Sequence, residues 1–427
     1  MNRSETSRDP DHDTGRSTRY VAGALIAGVF FGGIGGGVAF PTLPTLGGVL
    51  GIAPILVGLI LSTNRIVRLV MNTPAGQILD RFGTRRPMLI GFFLQGCAPF
   101  GYVLGIHSDL VPVFDAGGVF LLSRAMWGFG SAFVFVGAFS TITRVTTTEN
   151  RGKWVGYMRG GQSLGFPTGL IVGALIADTF GYTPAFLTAG GAGLFAFLVA
   201  FAVLPNIQPT TGSRSGLTDL PRMVRADIRI FTVGAVNFTV RFLFAGVLLS
   251  TVVLYAQQNS IEIAFLSGVG ASGVVMALGV LCASLTTVIA GSISDRLSNR
   301  ALLTLPALAV FGCGFALLAL VPTLTSTLAG IALIGVGVGG SNPPLLAYLG
   351  DISPADDTGK LGGVYNVFGD LGSSVGPLVA LPLAEVVGFT IEYLACVGFV
   401  VLAGVLVAAT LFGENASVST RALPNDD

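Results

Sequence analysis

The ten residues GQILDRFGTR, positions 76–85, decide the fold because an altered copy, GSISDRLSNR, occurs at positions 291–300. Five of the ten positions are identical, including all of the charged ones. The matched residues are Gly76 and Gly291, Ile78 and Ile293, Asp80 and Asp295, Arg81 and Arg296, and Arg85 and Arg300. A repeat of this kind predicts two related halves, each containing one copy.

The composition around these two copies is that of a membrane protein. Hydrophobic residues make up 52% of the 427 residues and charged residues only 11%, against about 25% charged in soluble domains. The apolar residues form twelve blocks, each of about the 20 residues that cross a bilayer as a helix. We therefore predict an all-α integral membrane protein with spans at 20–40, 54–77, 87–106, 116–143, 154–178, 183–204, 230–256, 265–291, 301–321, 325–349, 361–384 and 390–413.

The distribution of basic residues predicts the orientation. Eighteen of the 23 Lys and Arg residues lie in alternate connections between spans, and the other six connections contain none. Because cytoplasmic loops are enriched in Lys and Arg, we expect both termini to be cytoplasmic, in the plasma (inner) membrane. The polar first nineteen residues do not resemble a cleavable signal peptide.

The repeat also predicts the domain boundaries. A shift of 207 residues pairs Gly165 with Gly372 and Gly169 with Gly376. Two six-helix halves, 20–204 and 230–413, are therefore expected, with a cytoplasmic linker at 205–229 and tails at 1–19 and 414–427. Glycines at four-residue spacing allow close helix packing, and we assign this role to Gly161, Gly165, Gly169, Gly372 and Gly376.

Three motifs stand out in the first half. The first is Gly-x-x-x-Asp-Arg-x-Gly-x-Arg-Arg at 76–86, and the second is Arg-x-x-x-Gly-x-Gly at 124–130. The third is the glycine set Gly152, Gly161, Gly165 and Gly169. Together they resemble the motifs of the major facilitator superfamily, and the third is similar to a signature of its proton-coupled export antiporters, from which it departs at Phe166, Pro167 and Leu170. The resemblance implies a twelve-helix secondary transporter that works by alternating access, with Arg124 associated with proton coupling.

The two copies of the first motif are candidate cytoplasmic gates. A carboxylate such as Asp80 can hold the positive N-terminal end of a helix, while arginines pair with acidic groups. The alternative is that Asp80 is an ordinary solvated loop residue. The predicted gate residues are Gly76, Asp80, Arg81 and Arg85, with their counterparts Gly291, Asp295, Arg296 and Arg300.

Arginines inside the spans are the candidate substrate ligands. At 100° per residue, Asn64, Arg68, Asn72 and Arg65 lie at about 0°, 40°, 80° and 100°, on one polar arc. Because an arginine at membrane depth costs about 2.5–3.5 kcal/mol, it should face a wet cavity or a partner. Similar stripes contain Asn237, Arg241 and Asn366.

The balance of charge within the spans predicts an anionic substrate. Five arginines are expected there against one deep carboxylate, Asp370, which we assign with Arg124 to ion coupling, most simply by protons. An alternative is that Arg65 or Arg68 forms a structural ion pair with Asp370.

These features predict a secondary active transporter of a small organic solute, anionic or amphipathic, with export favoured. A multidrug efflux antiporter, an anion uptake symporter and a non-transporting membrane sensor remain alternatives. Walker, H-E-x-x-H and G-x-S-x-G motifs are missing from the sequence, which argues against an enzyme. We expect a monomer in the lipid bilayer, with no cofactor, metal or nucleic acid.

Overall fold

The structure is a computed structural model that describes residues 18–107, 115–147, 150–205, 207, 227–266, 268–297, 299–352 and 358–412. Most of the predicted linker at 205–229 lies outside these residues, as do the predicted C-terminal tail at 414–427 and all but the last two residues of the N-terminal tail at 1–19.

Long helices form almost all of the described chain. In the first half they are α1 Thr18–Val49, α2 Pro54–Phe82, α3 Arg85–Ile106, α4 Ala116–Val145, α5 Arg151–Phe180 and α6 Tyr182–Val203. Next come α7 Ile228–Gln258, α8 Val269–Ser294, the short 3-10 helix Arg300–Leu303, α9 Thr304–Leu320 and α10 Leu324–Asp351. Two helices, α11 and α12, make up the last element, Thr358–Leu411.

Eleven helical segments of the described chain are long and apolar enough to cross a membrane. The last of them has 51 residues, far more than one crossing requires. Gly388 divides it with φ of 77° and ψ of 162°, a conformation that glycine adopts without steric cost. The division gives twelve spans, as predicted, and the chain is a multi-pass membrane protein.

The first span is longer than the sequence predicted. We expected it to end at residue 40, yet α1 continues to Val49 through Pro41 and Pro44. The Thr42 hydroxyl donates to the carbonyl oxygen of Val38 at 2.6 Å, and the Thr45 hydroxyl donates to that of Thr42 at 2.9 Å. Pro41 and Pro44 leave the carbonyls of Gly37 and Phe40 without an N–H donor, and the helix continues past both prolines with these hydroxyl bonds on the neighbouring carbonyls.

Contacts between helices divide the chain into two compact units. The first contains the described residues of Met1–Ser213 together with Phe265–Val274, and the second contains those of Arg214–Ala264 and Val275–Asp427. The repeat had assigned all of α8 to the second half. The beginning of α8 belongs to the first unit because Gly270 and Gly273 lie against Asp178 and Ala174 of α5.

In the first unit, α1 packs closely along α5 through a row of glycines. A Cβ atom added to any of them would lie 3.0 Å or less from an α1 atom. The facing pairs are Gly161 and Ile26, Gly165 and Phe30, Gly169 and Ile34, and Gly173 and Val38. Each pair lies one helical turn beyond the last, so the two backbones remain in contact over four turns.

The second unit has a similar contact between α11 and α7. Added Cβ atoms on Gly372 and Gly376 would overlap the α7 backbone at Phe238 and Gly246, respectively. The α7 backbone forms a π-helix over Phe242–Leu248 at this contact.

The glycine row gives a stability prediction. Gly165→Ala would place a methyl group against the backbone carbonyl of Phe30, so we expect overpacking to cost about 1–3 kcal/mol. Gly160 lies on the same helix with nothing near its added Cβ, and Gly160→Ala gains the same helix propensity without the clash. In detergent, the Gly165 variant should melt below wild type and the Gly160 variant at or above it. Equal melting temperatures would contradict the packing described here.

Candidate functional site

The polar centre of the first unit is Arg124 on α4, whose side chain is 1% exposed. Its Nε donates to the carbonyl oxygen of Ile60 at 3.3 Å, and its Nη2 donates to that of Leu61 at 3.3 Å. The same Nη2 donates to Oδ1 of Asn64 at 3.0 Å. Helix α2 therefore holds this buried positive charge with neutral oxygens.

The second motif explains how α4 reaches α2. Gly128 lies one turn after Arg124 on the same face of α4, and an added Cβ there would meet the backbone of Asn64 at 2.8 Å or less. Gly130 meets the carbonyl oxygen of Gly91 on α3 in the same way, at 2.6 Å. These glycines bring α4 close enough for Arg124 to bond the α2 carbonyls.

Arg65 and Arg68 lie over aromatic rings. The guanidinium carbon of Arg65 is 5.2 Å from the centre of the Phe40 ring on α1, and that of Arg124 is 5.9 Å from the same ring. Arg68 lies 5.4 Å from the ring centre of Phe135 on α4. The structure thus brings Asn64, Arg65 and Arg124 together around Phe40.

Asn72 does not join this group. It lies two turns beyond Asn64 on α2 and is half-buried, and the described chain offers it no hydrogen-bond partner.

The second unit has a neutral polar cluster between α7, α10 and α11. Asn237 Nδ2 donates to the carbonyl oxygen of Tyr365 at 2.6 Å, and the Tyr365 hydroxyl donates to Oδ1 of Asn342 at 2.9 Å. Oδ1 of Asn237 is buried without a partner in the described chain. We did not identify Tyr365 or Asn342 from sequence, although Tyr365 directly precedes the predicted ligand Asn366.

The other predicted residues of this unit are more accessible. Arg241 and Asn366 are exposed, and Asp370 is half-buried on α11. The backbone carbonyl of Asp370 accepts a hydrogen bond from the Ser374 hydroxyl at 2.7 Å. An added Cβ on Gly369 would lie 3.3 Å from Cγ of Arg241, so the stem of Arg241 runs along α11.

At the first predicted gate, Asp80 is half-buried and Gly76 is buried. Arg81 is exposed and lies over the ring of Phe82 at 5.4 Å. We expected Arg85 to pair with an acidic group, but its Nη2 donates to the carbonyl oxygen of Phe201 at 2.9 Å. This bond ties the beginning of α3 to the end of α6.

The second predicted gate does contain ion pairs. Arg300 contacts Asp295 at 3.4 Å and Asp351, the last residue of α10, at 3.3 Å. Arg300 therefore links the connection after α8 to the end of α10. All three side chains are partly exposed, so each pair contributes at most about 1 kcal/mol. Arg296 is exposed, and Gly291 is half-buried on α8.

The beginning of α7 is fixed by Asp227. One carboxylate oxygen accepts a hydrogen bond from the backbone N–H of Arg229 at 2.8 Å, and the other contacts the Arg229 guanidinium at 2.7 Å. Burial raises the pKa of Asp227, but the bonds from Arg229 lower it by a larger amount. The pKa of Asp227 therefore lies below its usual range.

One buried carboxylate was not identified from sequence. Glu392 on α12 is 2% exposed. It lies only four residues after Gly388, at the end of its span, where a side chain would ordinarily reach water. Its burial depends on packing against other helices, which the sequence of α12 does not reveal.

The contacts of Arg124 predict that Asn64 matters for stability and Asn72 does not. Asn64→Ala removes a side-chain acceptor that lies 3.0 Å from the buried guanidinium, so we expect a loss of about 1.5–3 kcal/mol. Asn72→Ala should stay within about 0.5 kcal/mol of wild type. Thermal unfolding of the two purified variants measures the difference. An Asn64 variant as stable as the Asn72 variant would contradict this role.

Comparison with known proteins agrees with this architecture. The family model of the Major Facilitator Superfamily matches residues 25–377 and 264–427. Multidrug resistance protein 1 of Bacillus subtilis is 25% identical over 380 residues, which cover 85% of this chain and 89% of that protein. Quinolone resistance protein NorA of Staphylococcus aureus is 23% identical over 212 residues, which cover 50% of this chain and 52% of that protein.

Among solved structures, a bacterial homologue of the human lysosomal transporter Spinster, in an inward-facing and occupied conformation, has the same fold. Its TM-score is 0.73 at 16% identity, covering 95% of this chain and 98% of that one. The family match extends over almost the whole chain and confirms the resemblance found in the motifs. The chain belongs to the Major Facilitator Superfamily.

Proposed function

We propose that this transporter exports small amphipathic organic compounds that carry an acidic group, in exchange for protons. We further propose that it lies in the plasma membrane with both termini in the cytoplasm, because Lys and Arg alternate between the connections. Family membership supports the coarser part of this statement, since proteins of this superfamily move small molecules across membranes.

The observation that carries the proposal is the arrangement of two guanidinium groups around one aromatic ring. Arg65 and Arg124 lie 5.2 Å and 5.9 Å from the centre of the Phe40 ring. Guanidinium groups bind carboxylates, phosphates and sulfonates through paired hydrogen bonds, and an aromatic ring offers an apolar surface to the rest of the molecule. Arg65 is only half-buried, so we assign it rather than Arg124 to direct substrate contact.

The balance of charge in the spans supports an acidic substrate. Arg65, Arg68, Arg124 and Arg241 outnumber Asp370, the carboxylate predicted near the middle of a span. A binding surface with excess positive charge attracts anions and repels cations.

Two observations support export. The glycines of α5 resemble the signature of export antiporters, and two relatives are named for resistance to drugs and quinolones. We propose that the glycine contacts of α5 and α11 permit the movement of alternating access, with Asp80 and Asp295 in the two gates.

Multidrug export without a requirement for an acidic group is the second candidate. It is favoured by the name of the Bacillus subtilis relative and by the 30 phenylalanines of the chain, which suit varied apolar compounds.

Substrate preference separates these two candidates. In everted vesicles we would measure uptake of an aromatic carboxylate, its neutral amide and an aromatic amine. The first candidate predicts that wild type prefers the carboxylate. This preference should fall about 10–100-fold in Arg65→Ala, because the variant loses a charge-assisted hydrogen bond to the substrate. It should fall less in Arg65→Lys, which keeps the charge but not the paired donors. Arg159→Ala, on an exposed residue of α5, is the control. Equal uptake of all three compounds by wild type would favour multidrug export.

Asp370 is our candidate for proton coupling. Asp370→Asn cannot release a proton, so we expect it to abolish accumulation driven by a pH gradient while exchange of substrate across the membrane continues. Both rates can be measured in proteoliposomes with and without the gradient. Accumulation at the wild-type rate would exclude Asp370 as the coupling residue.

A further inference from the structure

Glu392 is a buried acidic side chain that the proposed function does not use. It lies one helical turn after Gly388, at the beginning of α12, and is 2% exposed. Neither carboxyl oxygen has a hydrogen-bond donor within the described residues.

The polar groups near Glu392 are already engaged with other partners. The hydroxyl of Tyr393 shares a hydrogen bond with the hydroxyl of Thr251 on α7 at 3.1 Å. The hydroxyl of Tyr255, also on α7, donates to the carbonyl oxygen of Leu318 at 2.9 Å. The surrounding rings contact one another in tilted and edge-to-face arrangements, with Tyr393 5.4 Å from Tyr255 and 5.8 Å from Phe315 between ring centres. Glu392 therefore lies beside an aromatic cluster whose hydroxyl groups are occupied.

Within the described residues, Glu392 has no basic hydrogen-bond partner. Helices α9, α10 and α12 contain no Lys or Arg. On α7, Arg241 precedes Thr251 by ten residues, about 15 Å along a helix. The other bases on the neighbouring elements are Arg229 and Lys360, in the first turns of α7 and α11. The remaining ionisable groups are neutral or acidic: Tyr255 on α7, Cys313 on α9, Tyr348 and Asp351 at the far end of α10, Tyr365, Asp370 and Glu385 on α11, and Tyr393 and Cys396 on α12 itself.

We infer that Glu392 carries a bound proton in this structure and is a proton-exchange site of the second unit. An ionised carboxylate without donors in apolar surroundings is far more costly than a neutral carboxylic acid. A proton is also the one cation that a carboxyl group binds without further ligands or additional space. Burial of Glu392 and binding of its proton are therefore linked.

The route for the proton is short. Gly388 is four residues, about 6 Å, from Glu392, and Glu385 and Val386 beside it are exposed. Movement of the first turn of α12 about Gly388 would admit water. The carboxylic acid would then give its proton to a water molecule and become a carboxylate, stabilised by water and by the positive N-terminal end of α12.

Infrared spectroscopy tests the bound proton without any transport measurement. We expect the carbonyl stretch of a protonated carboxylic acid in the purified wild type, a shift of that band on labelling glutamate with carbon-13, and its loss in Glu392→Gln. Glu385→Gln, an exposed acid three residues before the same glycine, should keep the band. If wild type lacks a label-sensitive band, or if Glu392→Gln retains it, the inference is overturned. The labelled wild type gives a result even if the Gln variant does not fold.

The role of Glu392 in transport rests on the proposed proton-coupled export. There we expect Glu392→Gln to lose dependence of accumulation on external pH while substrate exchange continues, and Glu385→Gln to behave as wild type. A Gln variant with the pH dependence of wild type would overturn the exchange role. Failure of wild type to transport aromatic acids would count against the proposed function alone, because the infrared result does not involve substrate.

Discussion

A charge within the hydrocarbon of a membrane must be hydrogen-bonded, solvated or removed by protonation, and much of this structure follows from that requirement. Arg124 meets it with three neutral oxygens of α2. Those oxygens are within reach only because Gly128 allows α4 to lie against the backbone of Asn64. The arginine and the glycine of one motif therefore act together: the glycine sets the distance and the arginine makes the bonds.

The two units meet this requirement in different ways. The first places guanidinium groups over aromatic rings and against helix carbonyls. The second connects its central helices with neutral groups, through the chain of Asn237, Tyr365 and Asn342. Their glycine contacts are alike, with α5 against α1 and α11 against α7. We expect this difference if the glycine contacts permit helix movement in both units, while the arginines of the first unit bind the transported solute.

Much of the fold could be predicted from sequence because membrane crossing requires about 20 apolar residues. The positions of Gly165 and Gly169 likewise follow from helical spacing. The end of α1 was missed because Pro41 suggests a stop, whereas the structure continues the helix through both Pro41 and Pro44.

Site residues were harder to assign. The partner of Arg85 is a main-chain carbonyl, and every residue has one, so no sequence pattern marks it. The burial of Glu392 depends on its surroundings in the folded second unit, and a position near the end of a span gives no sign of it.

The π-helix of α7 affects how this helix is read from its sequence. In a π-helix the backbone hydrogen bonds join residues five apart rather than four. The segment Phe242–Leu248 therefore contains one residue more than an α-helix would need for the same rotation. One residue of an α-helix corresponds to a rotation of roughly 100°. A single helical wheel for α7 is therefore valid only up to Arg241. The following segment, with Thr251 and Tyr255, needs a second wheel, rotated against the one that contains Asn237 and Arg241.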